Sequence, residues 1–145
     1  MSREIKFRAW DNVENKMYSV GDEDNIQFYF NGLVIQADKF TNIKIDTGED
    51  YEDDVHCERM EHLIYMQYTG LKDKHGKEIY EGDFVHIHIP IIGSEVTDFF
   101  GVVKFCEGAF WVDDNEDAIP LWSEINIPFI VGNIYENPEL LGEIE

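Results

Sequence analysis

Apolar and polar residues alternate along much of the chain, which is the period of a β-strand with one buried face. In the first half, strands are predicted over residues 4–10, 17–20, 28–30, 33–35, 40–45 and 63–68. Asn31 and Gly32 separate two of these runs, and this dipeptide favours a type I′ turn, whose two central residues both need positive φ. The pattern therefore predicts short antiparallel strands and a β-hairpin that turns at Asn31 and Gly32.

The second half of the chain continues this pattern, with tight turns between strands. Strands are predicted over residues 84–89, 99–105, 109–112 and 129–135. Glu107 and Gly108 supply the turn of a second hairpin, and Asn137 with Pro138 begins a short helix, because asparagine caps helices and proline suits the first helical position. Residues 48–54 are rich in acids and poor in apolar partners, so we expect a surface loop there.

Composition limits the class of protein. The chain has 145 residues, of which 43% are hydrophobic and 14% aromatic, enough for one ordinary domain or two small ones with real cores. No apolar run approaches the roughly 20 residues that cross a bilayer, and the first residues form no signal-peptide core. We therefore expect a cytoplasmic protein, in which Cys57 and Cys106 stay reduced.

Charge is the most unusual global property. The formal net charge is -20, from 31 acidic and 11 basic residues. A field of this sign repels phosphates, because proteins bind nucleic acid through lysine and arginine side chains that displace counterions. Direct binding to DNA or RNA is therefore not expected. The acidic surface either serves solubility or imitates nucleic acid.

Three stretches carry a resemblance to a known family. They are residues 5–11, 67–83 and 131–140, with the sequences IKFRAWD, QYTGLKDKHGKEIYEGD and VGNIYENPEL. In this order and spacing they resemble the YopX family of bacteriophage and prophage proteins. The resemblance implies an SH3-type small barrel in the C-terminal half, a phage or prophage origin and self-association, and it brings no catalytic residues.

The resemblance and the strand pattern together predict the fold class. It is mainly β, with small antiparallel sheets, a C-terminal SH3-type partly open barrel and a short C-terminal helix. The one candidate boundary lies near Gly70. We therefore expect a β-rich N-terminal region over residues 1–69, packed on a barrel formed by residues 70–145.

Two histidines form a candidate metal site. His86 and His88 lie two residues apart on a predicted strand, so both side chains point to the same face. With an acid from a neighbouring strand they could hold zinc or iron. The alternative is two histidines on the solvated face of a barrel strand, since the sequence identifies no third ligand.

A second candidate metal site has the spacing of a calcium-binding EF-hand loop. Asp113, Asn115, Asp117 and Glu124 stand at the first, third, fifth and twelfth positions of such a loop. Ala118 replaces the glycine that makes the sharp turn, and the flanking residues indicate strands where an EF-hand has helices. The alternative is a solvated acidic loop.

No motif identifies an enzyme. The sequence has no phosphate-binding loop, no Gly-x-Gly-x-x-Gly motif and no Gly-x-Ser-x-Gly nucleophile elbow. We expect no catalytic residue, no cofactor and no enzymatic activity.

Two functional hypotheses follow. The first is a non-enzymatic interaction module that binds a host or phage protein, with Trp111 or Trp122 as an anchor. One form of it is an acidic mimic of nucleic acid that occupies a basic site on its partner. The second is a metal-binding protein or metal-dependent enzyme that uses His86 and His88.

Overall fold

A computed structural model describes residues 4–21, 23–46, 51–90, 93 and 98–143, with the side chains of 43–46 and 51–53 left out. Within these ranges the chain forms twelve strands and one 3-10 helix. The strands are β1 (Phe7–Asp11), β2 (Lys16–Ser19), β3 (Ile26–Asn31), β4 (Val34–Asp46), β5 (Tyr51–Arg59), β6 (Leu63–Lys72), β7 (Glu78–Tyr80), β8 (Asp83–His88), β9 (Asp98–Cys106), β10 (Ala109–Asp113), β11 (Ala118–Pro120) and β12 (Ile127–Asn133). The 3-10 helix is Pro138–Glu143.

The chain divides into two compact units. The first comprises Arg8–Tyr65, and the second combines Met1–Phe7 with Met66–Glu145. The N-terminal segment thus belongs to the same unit as the C-terminal half, through bonds such as that from the Tyr68 backbone N–H to the Lys6 carbonyl at 2.9 Å.

The Arg8–Tyr65 unit contains the β1–β2 hairpin and a three-stranded antiparallel sheet in the order β3-β4-β5. Its core consists of buried apolar side chains: Ala9, Tyr18, Ile26, Ala37, Met60 and Leu63. The buried Asp11 carboxylate accepts hydrogen bonds from the backbone N–H groups of Val13 and Glu14 and contacts His62 Nε2 at 2.8 Å. This carboxylate therefore holds the turn between β1 and β2.

The predicted hairpin between residues 28–30 and 33–35 is present, but its turn lies one residue further along. Asn31 pairs with Val34, so Gly32 and Leu33 form the two-residue loop. Gly32 has φ of 66° and Asn31 is not in the positive-φ region. Glycine at the first central position is typical of a type II′ turn. The expected type I′ turn at Asn31 and Gly32 is therefore wrong, whereas the hairpin is confirmed.

Strand β4 corrects two further expectations. It is continuous from residue 34 to 46, where the sequence indicated two strands, because it pairs first with β3 and then with β5 without a turn between. Residues 51–54, expected in an acidic loop, belong to β5 and extend its ladder with β4. Residues 48–50 of that expected loop lie outside the described residues.

The second unit is built on a five-stranded antiparallel sheet with the order β11-β10-β9-β8-β12. The sheet curls into a partly open barrel, as the sequence and the resemblance predicted. One face of the sheet forms a buried core with Ile79, Val85, Ile87, Val103, Val112 and Leu121. The predicted hairpin at Glu107 and Gly108 is confirmed, and both residues have positive φ (52° and 77°), as a type I′ turn requires.

Both edges of this sheet are protected. On one side β11 has only three residues and ends in Pro120, which cannot donate a ladder hydrogen bond. On the other side the turn after Lys72 covers β12: the Lys74 N–H donates to the Pro128 carbonyl at 3.0 Å, and the Ile130 N–H donates to Asp73 Oδ2 at 3.2 Å. The edges therefore offer little backbone for pairing with another chain.

The C-terminal helix is present as a 3-10 helix, Pro138–Glu143. The Leu140 N–H donates to the Asn137 carbonyl at 3.1 Å, and the Asn137 side chain accepts from the Asn133 N–H at 3.2 Å. Asn137 therefore ties the helix start to the end of β12. Leu140 packs on Phe84 and Val102, so the helix covers the middle of the sheet face opposite the main core.

In the described part of the chain, no helix has the length and apolarity that a membrane span needs.

Gly101 offers a test of backbone packing in the five-stranded sheet. A Cβ at this position would lie 2.6 Å from the Asp113 carbonyl oxygen on the neighbouring strand, so Gly101→Ala should lower the free energy of unfolding by about 1–3 kcal/mol. Gly142→Ala is the control, because a Cβ there would meet no atom within 4 Å. Urea unfolding followed by circular dichroism compares the two; equal midpoints would contradict the close approach.

Asp73 offers a test of the turn that covers β12. Burial alone would raise the pKa of its carboxyl, but hydrogen bonds from the Lys77, Ile130 and His75 N–H groups, and the nearby His75 ring, hold that pKa below its usual 3.8. Because the folded-state pKa is lowered, this stabilisation is present above the unfolded-state pKa and is lost as pH falls through the folded-state value.

Asp73→Asn should therefore reduce stability at pH 7 by about 1–3 kcal/mol, since a buried charge-assisted hydrogen-bond set loses one acceptor. Between pH 5 and 2, the free energy of unfolding of Asp73→Asn should fall less with decreasing pH than that of the unmodified protein. Urea midpoints measured across this pH range give both quantities, with the exposed Glu124→Gln as control. Parallel pH curves for Asp73→Asn and the unmodified protein would refute this role.

Candidate functional site

A surface cavity of about 480 Å³ lies on the five-stranded sheet, around Trp111. Its lining residues come from β9, β10, β11 and the turn at Glu107: Lys104, Phe105, Cys106, Glu107, Trp111, Asp113 and Ala118. Ligand pockets commonly have volumes of about 300–1,000 Å³. The cavity is therefore large enough for a small ligand or for the side chains of a docked segment.

Strand register explains why most of these residues share one face; Phe105 is the exception, because it alternates with Lys104 and Cys106 along β9. Trp111 stands opposite Lys104 on β9 and opposite Pro120 on β11, and Asp113 stands opposite Ala118. Since side chains alternate along a strand, these positions face away from the core residues Val103 and Val112. Alanine and proline beside a tryptophan leave a depression, because their side chains are short.

The Trp111 indole is held in place from within the unit. Its Nε1–H donates to the Cys106 carbonyl at 2.9 Å, across the Glu107 turn. The ring is half-buried, whereas neighbouring Phe105 is 55% exposed and meets Phe110 edge-on with ring centroids 5.1 Å apart. Trp111 is therefore a fixed, partly accessible aromatic surface.

The charges of the cavity are mostly acidic. Glu107 and Asp113 contribute carboxylates, and Lys104 contributes the one cation among the lining residues. Lys104 Nζ lies 3.6 Å from Asp113 Oδ2, with both side chains substantially exposed. An exposed pair at this distance contributes little free energy, so Lys104 occupies Asp113 Oδ2 only weakly.

The turn after β10 adds further acids beside the cavity and contains the predicted calcium ligands. Asp114 Oδ1 accepts the N–H groups of Glu116 and Asp117, and these bonds hold its pKa below the usual value, so Asp114 stays charged. Asp113 Oδ1 accepts the Asn115 N–H. The segment is a β-hairpin turn between β10 and β11, which places Glu124 beyond β11 and gives the carboxylates backbone partners.

The two histidines lie at the other end of the same sheet face and share a partner. His86 Nε2 and His88 Nδ1 lie 3.0 and 3.2 Å from the same oxygen, Oδ1 of Asp98 on β9. The His86 ring also lies near Phe129, with centroids 6.5 Å apart. Asp98 is thus the neighbouring acid that the sequence pattern required but did not identify.

In the ranges that the structure describes, no group of three or more histidine, cysteine or acidic side chains is arranged to hold a metal ion. Asp98 already serves both histidines as a hydrogen-bond acceptor. Metal binding by His86 and His88, or by the Asp113–Glu124 segment, stays a prediction from the sequence.

The two predicted aromatic anchors lie in different settings. Trp111 lines the cavity, whereas Trp122 follows the buried Leu121 in the segment after β11, is 63% exposed and is not among the lining residues.

Sequence reasoning missed Lys104 and Glu107 as parts of the site. The signal was present, since the predicted hairpin at Glu107 and Gly108 already pairs Lys104 with Trp111.

The Arg8–Tyr65 unit has a smaller cavity of about 210 Å³, beside Val34, Arg59 and Tyr65. The Tyr65 hydroxyl is buried, with no hydrogen-bond partner among the described residues, and burial raises its pKa. This volume is below the usual range for ligand pockets, so the Trp111 cavity is the stronger candidate.

Solved structures with similar folds cover almost the whole chain. Protein EF1440 from Enterococcus faecalis is 26% identical, with a TM-score of 0.58 over 97% of this chain and 99% of its own. The protein yopX from Bacillus subtilis is 22% identical, with a TM-score of 0.59 over 94% of this chain and 97% of its own. A comparison with curated proteins gives no match.

A family model gives the assignment. The model described as "YopX protein" matches residues 6–142, which include all the strands and nearly all of the 3-10 helix described above. Its match contains the three stretches that carry the resemblance in the sequence, except for Ile5 at the start of the first. The chain belongs to the YopX protein family.

Proposed function

We propose that this chain is a non-enzymatic protein-interaction module, which docks a partner protein at the cavity around Trp111. The observation that carries the proposal is the cavity itself: a half-buried tryptophan, fixed by its hydrogen bond to Cys106, beside the exposed Phe105. Rigid aromatic side chains in depressions are the usual anchors of protein interfaces.

The construction of the sheet supports docking through side chains. Pro120 on one edge and the Asp73 turn on the other leave little backbone for strand addition. The face that carries Trp111 is therefore the accessible surface of this sheet that best suits a partner. The 3-10 helix packs on this face at Phe84 and Val102, through Leu140.

A finer form of the proposal is an acidic mimic of nucleic acid. The net charge of -20 favours fast, salt-sensitive association with a basic protein surface. Acids on one face of a β-strand are at least two residues, about 6.6 Å, apart. A surface that approaches the charge density of DNA, about one phosphate per 3.4 Å along each strand, therefore combines acids from neighbouring strands and turns.

The proposal also includes the origin of the protein and the kind of partner that it binds. The family resemblance supports a phage or prophage origin and a cytoplasmic partner in the bacterial host, or association between copies of the chain. These alternatives differ in what the protein retains from a host lysate.

The test is capture from a bacterial host lysate with tagged protein, compared between the unmodified chain and Trp111→Ala. We expect Trp111→Ala to reduce the yield of the retained partner at least tenfold, since a central aromatic anchor contributes about 2 kcal/mol or more. Trp111→Phe keeps an aromatic ring and should retain part of the binding. Circular dichroism confirms that each variant is folded.

Trp122→Ala is the matched control, because Trp122 is exposed but lies outside the lining of the cavity. Equal capture by Trp111→Ala and the unmodified chain would refute docking at this cavity. For the mimic form, duplex DNA added to the captured complex should release the partner. A partner that resists DNA but depends on Trp111 would leave the interaction module standing without mimicry.

A further inference from the structure

We infer that the cavity at Trp111 receives an arginine side chain of the partner protein, an inference that rests on the proposed function. The cavity combines an aromatic surface with two carboxylates, Glu107 and Asp113. A guanidinium group complements both features, because it stacks on aromatic rings and forms paired hydrogen bonds with carboxylates.

The surrounding charge favours a cation over an apolar or anionic occupant. Asp114, Glu116 and Asp117 lie in the turn that follows Asp113 directly, and Asp114 is held in its charged form by two backbone N–H groups. With the chain at a net charge of -20, the potential at the cavity attracts basic segments and repels acidic ones.

Arginine fits the lining better than lysine does. The Trp111 ring is fixed by the Cys106 carbonyl, so a planar group can stack on it without reordering the indole. A guanidinium also presents several N–H donors in one plane, so while it stacks on the ring its edge can donate to a carboxylate beside Trp111, whereas an ammonium group offers only a point charge.

Lys104 allows a cationic occupant of the cavity to be distinguished from an anionic one. Its ammonium group lies 3.6 Å from Asp113 Oδ2 and competes with an incoming cation for that carboxylate. Removal of this charge should therefore strengthen the binding of a cationic occupant. For an anionic occupant Lys104 would be the principal attraction, and the same change would weaken binding.

The test uses the full chain and two short peptides, acetyl-Gly-Arg-Gly-amide and its citrulline counterpart, which has almost the same shape without the charge. Two-dimensional ¹H–¹⁵N NMR follows the indole N–H signals of the three tryptophans, Trp10, Trp111 and Trp122, assigned with Trp111→Phe. We expect the arginine peptide to shift the Trp111 signal with a dissociation constant of roughly millimolar, as suits a single side chain. The citrulline peptide should shift it at least fivefold less at equal concentration.

Two charge variants extend the test. Lys104→Met, which keeps the alkyl chain, should tighten binding of the arginine peptide about twofold to fivefold, and Glu107→Gln should weaken it by a similar factor. Equal shifts from the arginine and citrulline peptides, or weaker binding by Lys104→Met, would overturn the inference.

Failure of this inference differs from failure of the proposed function. If capture of the partner depends on Trp111 but the peptides do not distinguish arginine from citrulline, the interaction module stands and its occupant is not arginine. If the arginine peptide binds as expected while Trp111→Ala captures the partner normally, the cavity recognises a guanidinium but is not the docking site.

Discussion

Antiparallel pairing of β8, β9 and β10, with one face of the sheet buried, is the constraint on which both the core and the candidate site depend. Side chains alternate along each strand, so the burial of Val85, Val103 and Val112 on one face commits their neighbours to the other. Trp111 faces away from the core because Val112, next to it, faces in. A shift of one residue in register would exchange the two sets.

The same alternation places the polar and charged side chains of β8, β9 and β10 on the face opposite the core, where they form two groups. His86, His88 and Asp98 share the end of the face where β8 pairs with β9, while Lys104, Trp111 and Asp113 share the end where β9 pairs with β10. Between these two groups the 3-10 helix supplies Leu140 and covers Phe84. One sheet face thus carries two distinct polar clusters and a small second core.

Much of this arrangement was readable from local signals. The turn at Glu107 and Gly108 is predictable because Gly108 suits positive φ and strand-like runs flank it, although glutamate rarely adopts the positive φ that Glu107 has. The register of this hairpin pairs Lys104 with Trp111. The Asn31 and Gly32 signal was equally local but gave the turn one residue too early, since glycine also suits the first position of a type II′ turn. Residues 51–54 joined β5 against their acidic composition, because a ladder with β4 satisfies their backbone groups whatever side chains they carry.

The sequence by itself determined the fold class, most of the strands and the family, because alternation, turn residues and motifs act over a few neighbouring positions. Only the tertiary structure decided what those strands bring together. Asp98 meets His86 and His88 from ten or more residues away, and Asp73 reaches Ile130 across 57 residues. The Trp111 cavity needs three strands in register to exist. Such contacts depend on the order, register and curvature of the sheet, and the same local pattern of apolar and polar residues is compatible with more than one of these arrangements.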